Sequence, residues 1–119
     1  MSNLDEEPRS WRLYIQDMLA CGEKVLAYAE GMTQTAFVAD SRTYDAVLRN
    51  LELIGEAATH VPVDVRESTP QVEWRNIIGV RNRVAHGYLG IDDDVVWDII
   101  QNNVPRLLPE LRRLLRTAW

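Results

Sequence analysis

Apolar residues recur at helical spacing along most of this chain, and polar or helix-stopping residues punctuate them. Tyr14, Met18, Cys21, Val25 and Tyr28 repeat every three or four positions, which predicts a first helix from about Ser10 to Glu30 with one apolar face. Gly31 supplies its stop. Thr33 to Asp40 reads either as a short helix or as an irregular lead-in. A second long helix is predicted over Ser41 to Val61, capped by Asp40 or Ser41. Its apolar positions Val47, Leu51, Ile54, Ala58 and Val61 follow a near-heptad spacing suited to packing along another helix. Pro62 ends it, and His60 falls in its last turn, where positive charge is favoured.

Val63 to Ser68 reads as a connector. Thr69-Pro70 then offers a capping hydroxyl followed by proline at the first helical position, so a third helix is predicted from there to about His86. Ile77, Val80 and Val84 form its core stripe; Ile78, Arg81, Ala85 and Tyr88 mark a second face, and Gly87 is its expected end. Asp92-Asp93-Asp94 opens the last helical stretch, with acids at the positive end of the dipole. Ile100, Val104, Leu107, Leu111 and Leu114 continue its apolar face, and Pro105 predicts a kink or break. No strand pattern is visible. The expected fold class is all-α, an antiparallel bundle of four to five helices.

Composition sharpens this only in places. The 119 residues suit one domain over 9–119, preceded by a short, polar, acidic and flexible N-terminus over 1–8. No apolar run approaches the ~20 residues that cross a bilayer, and no secretory leader pattern is visible. Cys21 is the lone cysteine, which excludes an internal disulfide and cysteine-based zinc sites and suits a reducing cytoplasm. The net charge of −5 argues against broad nonspecific binding to nucleic acid. Its distribution softens that argument, because arginine supplies all the positive charge except Lys24. Arg106, Arg112, Arg113 and Arg116 crowd the last segment against a single acid, Glu110. They read mainly as a solvated face, with an RNA-backbone role as the lesser alternative.

The candidate chemistry lies in Arg81-Asn82-Arg83-Val84-Ala85-His86-Gly87-Tyr88. Imidazole moves protons near neutral pH, and guanidinium holds phosphate or the charge that develops on it. Neither group needs a metal or a cofactor. Together they form a minimal kit for RNA cleavage, in which the 2′-hydroxyl, absent from DNA, attacks the adjacent phosphorus. Five residues separate Arg81 from His86, roughly 140° around an ideal helix. The two converge only if the helix ends at His86 or if a second copy of the chain contributes, which favours a homodimer with a shared cleft.

Arg81-x4-His86 followed by Gly87-Tyr88 resembles the R-x4-H-x-Y signature of HEPN-domain toxins of the HepT-like family. Leu51-Glu52-Leu53-Ile54-Gly55-Glu56-Ala57, Trp74 through Asn82, and Val95-Val96-Trp97 resemble further segments of that family in the same order. The resemblance implies an all-α homodimer that cleaves RNA without a metal as the toxin of a toxin–antitoxin pair. It implies catalytic roles for Arg81 and His86, with Asn82 assisting. It implies that Tyr88 receives AMP from a cognate minimal nucleotidyltransferase antitoxin, giving O-AMP-tyrosine. Bulk and negative charge beside Arg81 and His86 would then compete with RNA phosphate.

Each residue also has a plainer reading. His86 could cap the third helix, Tyr88 could be a packing residue, and Arg83 lies off the Arg81 face. Glu56 could pair with a site arginine or form a simple structural ion pair. His60 and Cys21 read as structural. As a whole, the alternative function is a non-catalytic helical module that docks a nucleotidyltransferase and helps present its substrate.

Overall fold

The computed structural model describes residues 10–117; the expectation of a flexible segment over 1–8 lies outside them. Eight helices follow in order: α1 (Trp11–Ala29), α2 (Gln34–Ala39), α3 (Ser41–Ala58), α4 (Val63–Glu67), α5 (Trp74–Ile78), α6 (Val80–Val84), α7 (Asp93–Asp98) and α8 (Val104–Arg116). The fold is all-α, and among the described residues the only β-type pairing is one bridge between Ala85 and Ile91. α1 packs along α3 and α8. Both neighbours run antiparallel to it. Tyr14 near the start of α1 stacks on His60 just beyond α3, with ring centroids 4.4 Å apart. Arg12 reaches the Leu115 carbonyl at the end of α8 at 3.2 Å.

Caps set the helix starts. Asp40 begins α3, accepting from the Thr43 N–H at 3.1 Å and from the Thr43 hydroxyl at 2.9 Å. Those bonds, the backbone one foremost, hold the Asp40 carboxyl below the usual carboxylate range. Asp92 does the same for α7, accepting from the N–H groups of Asp94 and Val95 at 3.1 and 3.2 Å.

The predicted face of α3 is correct: Val47, Leu51, Ile54, Ala58 and Val61 are all buried. The predicted face of α1 is turned. Its buried line is Ile15, Met18, Gly22, Val25 and Ala29, while Tyr14 and Cys21 are half-buried and Tyr28 is exposed. Small residues explain the rotation. A Cβ on Gly22 would lie 2.5 Å from Leu108 Cδ2, so α8 seats itself where α1 has no side chain.

Several boundaries differ from expectation. α3 stops at Ala58, three residues before Val61, and Pro62 starts α4 where a plain connector was predicted. Thr69 caps nothing. Its buried hydroxyl accepts from Trp74 Nε1 at 3.0 Å and donates to the Arg66 carbonyl at 3.1 Å. The single helix predicted from Thr69 to His86 is two short ones, α5 and α6, separated at Gly79. Glycine is a poor helix former, and here it takes φ −92° and ψ 22° between β-branched neighbours, Ile77 and Ile78 before it and Val80 after it. The regular α-helix is interrupted next to Pro105, which falls in the first turn of α8. A wide π turn over Ile99–Asn103 precedes it, in which the Val104 N–H reaches back to the Ile99 carbonyl, and α7 runs through it into α8. The wide turn absorbs the missing donor and the bulk of the proline ring.

Candidate active site

α5 and α6 are held against α3 by a close backbone approach. A Cβ on Gly55 would lie 2.7 Å from the Ile77 carbonyl oxygen and 3.2 Å from Val80 Cγ1. That contact fixes α6, whose buried residues Val80 and Val84 leave Arg81 and Asn82 on the outside. Arg81 Nε lies 3.5 Å from Glu52 Oε2, and 81% of the Arg81 side chain remains exposed. The acid that meets the arginine is therefore Glu52; Glu56, one turn further along α3, is exposed. Arg83 leaves from the other side of α6 and meets Asp98 at 3.5 Å.

The helix ends at Val84, two residues before the predicted His86, because the chain closes a tight loop instead. Ala85 takes an extended conformation and pairs with Ile91. The His86 N–H donates to the Gly90 carbonyl at 2.6 Å, and the Asp92 N–H donates to the Val84 carbonyl at 2.7 Å. Inside this closure Gly87–Leu89 form one 3₁₀ turn. Gly90, with φ 99° and ψ −133°, occupies backbone space that a side chain would strain. The loop pushes its side chains outward: His86 is exposed, Leu89 is 68% exposed, and Tyr88 is 99% exposed.

Arg81 and His86 line two neighbouring depressions. Arg81 lies with Glu52, Leu48 and Val84 on the α3 side; His86 lies with Val38, Asp92 and Asp94 on the α2 side. Ile91 borders both. Within one chain the cation and the imidazole thus flank a single apolar residue rather than face each other in one pocket. The acids near His86 are already engaged. Asp92 caps α7, Asp94 accepts from Gln34 Nε2 at 2.6 Å, and Asp93 accepts from the Tyr44 hydroxyl. Burial first, and then Asp93, pushes the Tyr44 phenol well above its ordinary value. Among the described residues no group of three His, Cys, Asp or Glu is arranged to hold a metal ion.

The terminal arginines are partly neutralised. Arg112 meets Glu23 at 3.1 Å and Arg113 meets Glu110 at 3.2 Å. Cys21 is half-buried with its thiol pushed up by burial, and His60 is stacked on Tyr14, so both sit away from the candidate site.

This arrangement has a family. Residues 18–114 match the HepT-like ribonuclease family, described as "Ribonuclease HepT-like", and the chain belongs to it. Among curated relatives, it is 33% identical over 105 residues to "Putative RNase MJ0127" of Methanocaldococcus jannaschii, covering 88% of this chain and 87% of that one. It is 30% identical over 106 residues to "Probable ribonuclease HepT" of Thermococcus cleftensis, covering 89% and 96% respectively. No solved structure matches the chain. Family and relatives together support ribonuclease activity.

Proposed function

We propose that this protein is the toxin of a toxin–antitoxin pair, an endoribonuclease that cuts RNA with Arg81 and His86 and needs no metal. The observation that carries the reading is the exposure of Arg81, His86 and Tyr88 together, the first two on either side of Ile91 and the third on the backbone-closed loop that follows His86. His86, as general base, takes the proton of a ribose 2′-hydroxyl. The oxygen attacks the adjacent phosphorus, the bond to the 5′-oxygen breaks, and that oxygen regains a proton. The products are a 2′,3′-cyclic phosphate and a 5′-hydroxyl. Arg81 offsets the charge that builds on the phosphoryl oxygens, and Asn82, exposed beside it, orients the phosphate.

A guanidinium in open water stabilises such charge weakly, because the solvent screens it. A second copy closing over Ile91 and Ala85 would dry the site and bring one chain's imidazole toward the other's arginine. A homodimer therefore completes the reading. Tyr88, 99% exposed, is open to a nucleotidyltransferase partner. In that step the phenol oxygen attacks the α-phosphorus of ATP, pyrophosphate leaves, and the phenolic proton is lost. The AMP phosphate then occupies the neighbourhood of Arg81 and His86, where RNA phosphate would bind.

The test is RNA cleavage by purified protein in excess EDTA. The expected result is cleavage with 2′,3′-cyclic phosphate ends, abolished in His86→Ala while the helical circular dichroism is retained. Cleavage that survives that substitution, or that needs Mg²⁺, refutes the mechanism. The docking-module alternative predicts no growth arrest on expression. The toxin reading predicts arrest, relieved by the partner only when Tyr88 is intact.

A further inference from the structure

The imidazole of His86 has no partner of its own. Among the described residues no hydrogen bond or ion pair reaches its side chain, although Asp92, Asp93 and Asp94 line the same depression. A catalytic base is ordinarily aimed by a third group, such as a carboxylate on the far ring nitrogen. Here the three acids are engaged elsewhere, on the α7 cap, on Tyr44 and on Gln34. The direction of the ring is therefore set by the main chain that carries it.

That main chain is clamped on both sides. The His86 N–H donates to the Gly90 carbonyl at 2.6 Å, and the His86 carbonyl accepts from the Leu89 N–H at 2.9 Å. Directly after Gly90, Ile91 pairs back to Ala85, and the Asp92 N–H donates to the Val84 carbonyl at 2.7 Å. The bonds made by residues 90 to 92 need the chain to reverse at Gly90, which does so at φ 99° and ψ −133°. This is the mirror image of the β region. Glycine enters it freely, and an L-residue with a side chain does not. Space is not the reason for glycine here, because a Cβ on Gly90 would meet nothing within 4 Å. Only the backbone angles require it, and what those angles hold is His86.

We infer that Gly90 is the positioning residue for His86, aiming the imidazole at the ribose 2′-hydroxyl through the bond between the Gly90 carbonyl and the His86 N–H; the inference rests on the ribonuclease reading above. Gly90 touches neither the substrate nor the reacting atoms. Its backbone does for His86 what a carboxylate does for the histidine of a triad, and it leaves both ring nitrogens free to move protons. Arg81 and Asn82 lie on α6, before the closure begins, and do not depend on it. An L-residue in place of Gly90 thus misaims the base and leaves the phosphate contacts intact. Misplacing a reacting group by about 1 Å can cost about a hundredfold in rate, and the loss falls on kcat rather than on KM.

The experiment compares full chains made by chemical synthesis with glycine, L-alanine or D-alanine at position 90. D-Alanine suits these angles, since reversing the sign of both places an L-residue in the broad β region. The readouts are hydrogen exchange of the His86 amide by NMR, and kcat and KM for RNA in excess EDTA. Gly90→Ala is expected to speed exchange of the His86 amide and to lower kcat, each by about tenfold or more, with KM within about twofold. The D-alanine chain should match glycine in both readouts. Gly31→Ala is the control: Gly31 also has a positive φ, 75°, with nothing within 4 Å, but it lies between α1 and α2 and lines neither depression. It should lose thermal stability and keep kcat. Unchanged kcat in Gly90→Ala, a D-alanine chain as slow as the L-alanine one, or an equal kcat loss in Gly31→Ala overturns the inference. A wild-type chain that cuts no RNA refutes the ribonuclease mechanism and takes this role of Gly90 with it. Cleavage that is equally fast in all three chains removes the role of Gly90 alone.

Discussion

Gly55→Ala is the substitution whose effect the packing defines most closely. The new methyl would sit 2.7 Å from the Ile77 carbonyl oxygen, 3.2 Å from Val80 Cγ1 and 3.6 Å from the Ile78 carbonyl oxygen. Ordinary C···O approaches are ~3.3–3.6 Å, so α5 must move off α3 by at least half an ångström or so. Overpacking of this kind costs about 1–3 kcal/mol, and a backbone obstacle belongs at the upper end because no rotamer change relieves it. Alanine in place of glycine within a helix returns about 1 kcal/mol. The net loss is about 2 kcal/mol, or roughly 6–10 °C in melting temperature for a domain of this size. Gly22→Ala is the control. Its nearest obstacle is closer, at 2.5 Å, but it is the end of the Leu108 side chain, which can turn away. Thermal melts followed by circular dichroism decide the matter. A Gly55→Ala protein as stable as wild type, or one more stable than Gly22→Ala, would refute the claim that the α3–α5 contact is a rigid backbone seam.

Three further outcomes follow from the same contacts. Glu52→Gln removes the charge beside Arg81; an exposed pair is worth under about 1 kcal/mol, so KM for RNA should fall by no more than about fivefold while kcat stays constant, and a fall in kcat would count against this. Tyr44 has its phenol pKa raised in the folded state, so the stability it contributes is intact below about pH 10 and is lost as pH rises toward the folded value. Tyr44→Phe should then flatten the alkaline limb of a melting-temperature-against-pH profile, and an unchanged limb would assign it to another group. Leu111, fully buried, should cost about 2–5 kcal/mol as Leu111→Ala in urea unfolding, with a smaller loss indicating that the α8 face can collapse around the gap.

Periodicity carried the sequence reading where the chain is periodic. α3 shows its buried face in the spacing of Val47, Leu51, Ile54 and Ala58, and Asp40 and Asp92 announce the helices they cap. The α1 face departs from the spacing of its large residues because Gly22 and Ala29 bury by permitting approach, while Tyr28 stays exposed. The cluster from Arg81 to Tyr88 stood out by composition, but its geometry did not. The end of α6 depends on Ala85 meeting Ile91 and on the Gly90 carbonyl reaching the His86 N–H, contacts that no helical period encodes. Likewise, Glu52 rather than Glu56 meets Arg81 because of the register between α3 and α6, which only packing sets. Asn103 gave no signal at all; an asparagine before Val104-Pro105 looks like a surface residue until the wide turn carries it inward.

The loop between Ala85 and Ile91 is closed by main-chain atoms alone, and its tip touches nothing that the core depends on. A group joined to the Tyr88 oxygen would thus lie over the surface beside Arg81 and His86 without loosening an interior contact. If Tyr88 is the modified residue, as proposed, its modification is separable from folding: the bundle would melt at the same temperature with and without the added group. A cell could then keep a long-lived stock of this protein in the silent form, with no degradation or refolding needed to bring it back.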